Sequence, residues 1–244
     1  PWLSREFVYP HAHVRLKFFQ VPSWQGEIVP KEHSGIAWTA LHDAPAVAPL
    51  LPANGPILRA LRLPTRYAIT NATENGVEHE LQRLQEALQN GLRLIQLRDK
   101  ALPAAVRQRF AHDLMALTGD CPNCIVLVNN DEALARDIGA SGLHLSSGQL
   151  RQCHQRPAFA HVSAACHNAT ELAHAAELEL DFALLSPVLP TPSHPESAGL
   201  GWAEFARLSE NSPIPVFALG GMTSDMEETA RTHGAHGIAL LRNW

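Results

Sequence analysis

Arg98 and Lys100 flank Asp99 directly after an apolar run, Arg93–Leu97. Two cations at the end of a strand suit a phosphate or a carboxylate, and the guanidinium adds a bidentate fork. The competing reading is a surface ion-pair cluster closed by Asp99. Gly220-Gly221-Met222-Thr223 follows a second apolar run. Glycines let backbone N–H groups approach an anion, and a helix opening there adds the positive end of its dipole. The plainer alternative is a tight turn that needs positive φ. His167 follows a third run. An imidazole near its ordinary pKa of ~6.5 can move protons at neutral pH. The chain has 14 histidines, so position rather than residue type singles this one out. Cys121-Pro122-Asn123-Cys124 is a CxxC, but no second pair follows at zinc spacing and it precedes a strand. His11-Ala12-His13 can share one strand face, yet no third ligand is apparent.

The elements that position these groups are legible as periodicity. Apolar runs recur at Tyr67–Thr70, Arg93–Leu97, Ile125–Val128, Gly142–Leu145, His161–Ala164, Phe182–Leu185, Pro215–Leu219 and Gly237–Leu241. Helical patterns lie between most of them: Leu81, Leu84 and Leu88 share one face, and Val106, Phe110 and Leu114 another. Eight strands with helical crossovers predict an α/β fold, a closed (β/α)8 TIM barrel. In that architecture the C-terminal strand ends carry the chemistry. Here they read Gln96 to Lys100, Asn129-Asn130, Cys166-His167, Thr191 to His194 and Gly220 to Met222, a set suited to a phosphorylated anion.

The barrel pattern fills only the last 180 or so of 244 residues. Residues 1–63 are therefore read as a separate β-rich segment with a linker, and 64–244 as the barrel. Phe7–Tyr9 and Val14–Gln20 read as strands around a Pro10-His11 turn, and Ile36–Leu41 as a further strand. Net charge is −5 with no basic run, so a nucleic-acid polymer is not indicated as a partner. No apolar stretch approaches 18 residues and no signal peptide is visible, which predicts a soluble, cytoplasmic protein without a membrane partner. Four cysteines are too few for a disulfide scaffold. The chain opens on Pro1-Trp2-Leu3 without Met and is read as a fragment or processed product.

Residues Phe7 to Phe19, Trp24 to Glu27, Lys31 to His33 and Leu51 to Pro56 together resemble the C-terminal half of MutT-type Nudix hydrolases, which cleave oxidised guanine nucleotides. The resemblance places Glu32 near that family's metal and Asn54 on its base. The glutamate-rich Nudix box has no counterpart here, so no nucleotide hydrolysis is expected. Magnesium is expected only for an intact Nudix domain.

Tyr67-Ala68-Ile69-Thr70, Gln96-Leu97-Arg98-Asp99-Lys100, Gly139 to His144, Ser186 to Ser193 and Ala218 to Met222 resemble the thiamine phosphate synthase / TenI superfamily. The synthase branch joins a pyrimidine pyrophosphate to a thiazole phosphate with Mg²⁺. TenI proteins share the barrel and the thiazole-phosphate pocket, and some isomerise the thiazole without metal. The resemblance implies a thiazole phosphate as the small-molecule partner, bound by Gln96, Arg98, Lys100, Asn129, Thr191, Ser193, Gly220, Gly221, Leu240 and Leu241. It places the catalytic histidine at His167. Where the synthase pattern has charged groups, this chain has Asn130, Ser141 and His194, and Ala165 replaces a serine. These departures predict a TenI-like thiazole tautomerase without cofactor or metal, an isomerase fused to the remainder of a MutT-type hydrolase. The alternatives are a thiamine phosphate synthase, or a non-catalytic thiazole-phosphate-binding barrel beside an oxidised-nucleotide hydrolase. A homodimer is left open.

Overall fold

Alternation near the N-terminus produces a hairpin. Leu3–Tyr9 (β1) and Ala12–Phe18 (β2) pair antiparallel, Leu3 opposite Phe18 and Tyr9 opposite Ala12. The turn falls on Pro10-His11, as the pattern predicts. The computed structural model describes residues 1–21, 23–41, 43, 50–191, 198–242 and 244. The strand expected at Ile36–Leu41 does not form: Ile36 and Trp38 are exposed, and no described strand pairs with them. An extended segment without a ladder has nothing to stabilise it. Gly55–Leu61 (α1) follows a 3-10 turn at Pro52–Asn54. Pro56 lies in its first turn, where a missing N–H costs nothing.

The eight apolar runs become eight parallel strands. They are Arg66–Ile69 (β3), Leu94–Leu97 (β4), Ile125–Asn129 (β5), Gly142–Leu145 (β6), His161–Cys166 (β7), Phe182–Leu185 (β8), Val216–Leu219 (β9) and Gly237–Leu240 (β10). They close in the order β10-β3-β4-β5-β6-β7-β8-β9. Both faces of each strand are covered, which is why the runs are nearly continuously apolar. Inward positions form one cluster, with Tyr67, Leu94, Leu127, Phe182 and Phe217 filling the barrel. Tyr67 meets Phe182 edge-on at 5.4 Å and Phe217 at 5.9 Å. Outward positions, Ile95 and Leu97 among them, pack on the helices in a second, larger cluster.

The helices are Ala72–Asn75 (α2), Val77–Gln89 (α3), Ala104–Thr118 (α4), Glu132–Asp137 (α5), Ser147–Gln152 (α6), Ala169–Glu177 (α7), Gly201–Ser209 (α8) and Glu227–Thr232 (α9). Leu84 and Leu88 of α3 are buried as expected; on α4, Phe110 and Leu114 are buried but Val106 is exposed. Asp131, Ser146 and Asn168 cap α5, α6 and α7, each accepting from a backbone N–H of the first turn. Caps of helices that start right after strands line the barrel mouth with polar side chains.

The hairpin covers the opposite end. Trp2 and Leu3 are buried against Ile57 and Ala60 of α1. Ser4 N donates to Ser212 O at 3.0 Å, and Arg5 donates to Pro213 O at 2.8 Å. Trp2 stacks on His236 at 5.8 Å, and His236 Nε2 lies 3.0 Å from Leu63 O. Leu63, Ser212 and His236 all precede strands, so this is the N-terminal face. Glu32 is exposed, and Asn54 sits in the 3-10 turn before α1 with no side-chain hydrogen bond to the helix it precedes. This arrangement gives no support to a partial Nudix domain. Among the described residues, no helix is long and apolar enough to cross a membrane.

Candidate active site

Asp99 does not close an ion pair with its neighbours. Its carboxylate is buried and accepts from Thr70 Oγ1 at 2.5 Å and from Thr73 N and Oγ1 at 2.8 and 3.2 Å. Thr70 Oγ1 in turn accepts from Arg98 N at 3.0 Å. Asp99 therefore ties the loop after β3 to the loop after β4 and fixes the backbone that carries the cations. Arg98 and Lys100 are exposed and have no ion-pair partner among the described residues. Both line a small cleft together with Asn129, Arg107 and Asp131. The surface-cluster reading fails here, and two unneutralised cations remain at the mouth.

Below them lies a polar layer. Gln96 is buried and donates to the Tyr67 hydroxyl at 3.0 Å. His144 Nδ1 meets Ser163 Oγ at 2.8 Å. Burial, with Arg98 nearby, pushes the His144 pKa down to about 3, so its ring is neutral. Burial likewise holds the Tyr67 hydroxyl protonated. Two other polar atoms in the region are buried without a partner among the described residues, Asn129 Nδ2 and Thr191 Oγ1. Buried donors without acceptors are costly, so both await a ligand or water. Ser193 and His194 lie outside the described residues.

His167 is exposed at the end of β7. Its Nδ1 lies 2.7 Å from the Ser186 carbonyl oxygen, which makes that nitrogen an N–H donor and leaves Nε2 without a hydrogen-bond partner among the described residues. Its backbone N donates to buried Glu171 at 2.7 Å. The ring is thus oriented from two sides.

Gly220 and Gly221 have φ of +97° and +69°. A Cβ on Gly220 would come within 2.7 Å of Pro187, and one on Gly221 within 2.6 Å of Leu189. The loop after β8 packs on the pair, with Leu189 N donating to Gly220 O at 3.1 Å. The turn requirement is real, and neither glycine N–H donates to a described backbone group. The helix expected to open here begins only at Glu227, after a 3-10 turn at Ser224–Met226, so its dipole contributes little. Leu240 is buried and Leu241 packs on the barrel interior, so any ligand contact falls to their backbone.

A magnesium ion is implied for the synthase branch, and the donors at the mouth do not fit one. Asp131 accepts from Leu134 N at 2.9 Å with one oxygen and from Arg107 at 2.6 Å with the other. Asn130, at φ 59°, donates to Ser146 Oγ at 2.9 Å and accepts from Ser146 N at 2.7 Å. Gln149 reaches the Asn130 carbonyl oxygen at 3.2 Å. Apart from Asp131, whose two oxygens are already engaged, these are amides and a hydroxyl, whereas magnesium is ordinarily held through carboxylates. Among the described residues, no group of three His, Cys, Asp or Glu could hold a metal. Ser141 bears on nothing here: it precedes β6, at the far end of the barrel, and accepts from Val126 N at 3.3 Å. The CxxC also leads nowhere, because burial and Cys121 push the Cys124 thiol up to about 11, far from a reactive thiolate.

The structure thus brings Arg98, Lys100 and Asn129 to one cleft and sets Gln96 beneath the mouth. His167, Thr191 and the glycine pair also follow strands at this end. Sequence reading passed over Arg107, His144, Ser163 and Gln149. Period 2 along β6 and β7 would have turned His144 and Ser163 inward.

The family model described as thiamine monophosphate synthase matches residues 66–243. A protein of Aquifex aeolicus (strain VF5), provisionally named thiamine-phosphate synthase 2, is 33% identical over 182 residues, 73% of this chain and 96% of that one. The thiamine-phosphate synthase of Thioalkalivibrio sulfidiphilus (strain HL-EbGR7) is 30% identical over 184 residues, 74% of this chain and 87% of that one. The solved thiamine phosphate pyrophosphorylase from Pyrococcus furiosus superposes with a TM-score of 0.61 at 23% identity, over 75% of this chain and 87% of that one. That likeness speaks to the fold. The family match begins after the segment read as Nudix and lends that reading nothing. The expectation of an isomerase is corrected: the relatives are named as synthases, which are transferases.

Proposed function

The chain belongs to the thiamine monophosphate synthase family, and from that premise we propose that its barrel is a transferase of thiamine biosynthesis. It joins a pyrimidine pyrophosphate to a thiazole phosphate. As the two rings join, the carbon–oxygen bond to pyrophosphate breaks and pyrophosphate leaves with the electron pair. Arg98 and Lys100 hold the leaving group and offset its growing charge, the kind of preorganised electrostatics that dominates many rate enhancements. Asn129 Nδ2 supplies a donor beside them and Thr191 Oγ1 another at the same end. The backbone N–H groups of Gly220 and Gly221 take the thiazole phosphate, with Leu240 and Leu241 beside them. His167 Nε2 accepts a hydrogen bond from bound substrate and so orients it. The observation that carries this reading is the pair of cations left without counter-ions by Asp99, next to the orphaned amide of Asn129.

The test is direct. The purified chain is incubated with both substrates, and thiamine phosphate is detected by mass spectrometry together with released pyrophosphate. Product is expected, and Arg98→Ala should lower its rate on the order of 10²-fold or more, the usual cost of removing such a donor. The lack of carboxylates around Asn130 favours a second reading, a barrel that binds thiazole phosphate without turnover. Saturable binding with no product identifies that case.

A further inference from the structure

We propose that this barrel binds a diphosphate anion through three side-chain cations, Arg98, Lys100 and Arg107, with no divalent metal between protein and anion. The inference rests on the transferase reading above and adds how its leaving group is held.

Among the described residues, the cleft lacks a free carboxylate. The one carboxylate that lines it among these residues, Asp131, has both oxygens engaged, one by the Leu134 N–H and one by Arg107. A cation there would have to displace an ion pair at 2.6 Å and uncap α5. The neighbouring oxygens, of Asn130 and Ser146, are neutral and bonded to each other's residues. Asp99 is held by the threonines of the loop after β3 and does not line the cleft.

What the cleft has is positive charge. Arg107 stands in the first turn of α4 and lines the cleft together with Arg98, Lys100 and Asn129. Its side chain is about a quarter exposed. Asp131 takes one of its five donors, and its Nε is buried with no partner among the described residues. Asn129, whose Nδ2 is also buried with no partner among the described residues, lines the same cleft. Among the described residues, three cations against one carboxylate leave two net positive charges at the cleft, the charge a divalent metal would have brought. Guanidinium forks also match phosphate oxygens geometrically. Asp131 acts as the positioning residue that holds Arg107 over the site.

The probe is inorganic pyrophosphate, titrated calorimetrically into the full chain at fixed ionic strength, once with EDTA and once with excess magnesium chloride. Binding in EDTA is expected to be at least as tight as with magnesium. Arg107→Gln should weaken pyrophosphate binding by roughly 10–100-fold, the worth of a lost charge-assisted contact. Inorganic phosphate, which needs fewer cations, should lose less. Arg107→Lys keeps the charge and should retain most of the affinity, and circular dichroism and melting curves of both variants establish that they fold. Binding seen only with magnesium overturns the inference and leaves the transferase reading standing. No binding in either buffer overturns both. Binding in EDTA that neither Arg107 substitution alters removes Arg107 from the site and overturns the three-cation arrangement.

Discussion

Asp99→Asn separates a loop clamp from a counter-ion. The native carboxylate takes three hydrogen bonds, from Thr70 Oγ1, Thr73 N and Thr73 Oγ1. An asparagine can keep the two from Thr73 through its carbonyl oxygen, but as neutral bonds. Its amide then faces Thr70 Oγ1, which already accepts from Arg98 N and whose own proton loses its acceptor. Charge-assisted bonds contribute about 1.5–3 kcal/mol against about 1 for neutral ones, and an orphaned buried donor costs about 1–3 more. The expected loss is about 2–4 kcal/mol. At roughly 2–4 °C per kcal/mol for a chain of this size, Tm should fall by about 4–16 °C. Urea denaturation and calorimetry measure both. Affinity for inorganic pyrophosphate should fall too, because the clamp positions Arg98. If Asp99 instead neutralised Arg98 and Lys100, the substitution would leave stability nearly unchanged and tighten anion binding. That pair of results would refute the clamp.

Gly220→Ala should cost at least about 1–2 kcal/mol for the left-handed backbone alone, and more for a Cβ 2.7 Å from Pro187; melting and thiazole-phosphate titration should both register it. Leu3→Ala should destabilise by about 2–4 kcal/mol yet leave ligand affinity unchanged, since Leu3 is buried at the opposite end of the barrel. His144 and His236 are held neutral by burial, with pKa values pushed down to about 3 and about 4. Unfolded histidines take up protons near pH 6.5, so the unfolded chain binds more protons than the folded one between there and pH 4. Stability should therefore fall as pH drops through that window, by up to about 3 kcal/mol per pH unit for the pair. Melts from pH 7 to 4 measure it, and His144→Asn with His236→Asn should flatten the slope.

The barrel was legible because a strand covered on both faces cannot hide its composition, and helix caps must follow those strands. Arg98, Lys100 and Asn129 could be placed by counting from the strand ends. What each polar group is used for could not be counted. Asp131 next to Asn130 is in space a helix cap neutralised by an arginine 24 positions earlier, a pairing that local sequence does not announce. Ser141 read as a lost ligand because one strand start looks like any loop, until the strand direction places it at the other face. The hairpin's contacts run across more than 200 residues, as from Arg5 to Pro213. Local pattern carries no trace of them, and the same alternation served a Nudix reading equally well. The choice of tautomerase over synthase rested on departures at Asn130, Ser141, Ala165 and His194, and kinship with named synthases outweighs them.

Both anions are expected at the C-terminal mouth of the barrel. A crystal structure of the chain with thiazole phosphate and inorganic pyrophosphate tests this most directly. Pyrophosphate density is expected on Arg98, Lys100 and Asn129, and thiazole phosphate density on the N–H groups of Gly220 and Gly221. Ordered ligand at the N-terminal face, or a mouth that stays free of both at saturating concentration, would contradict the account.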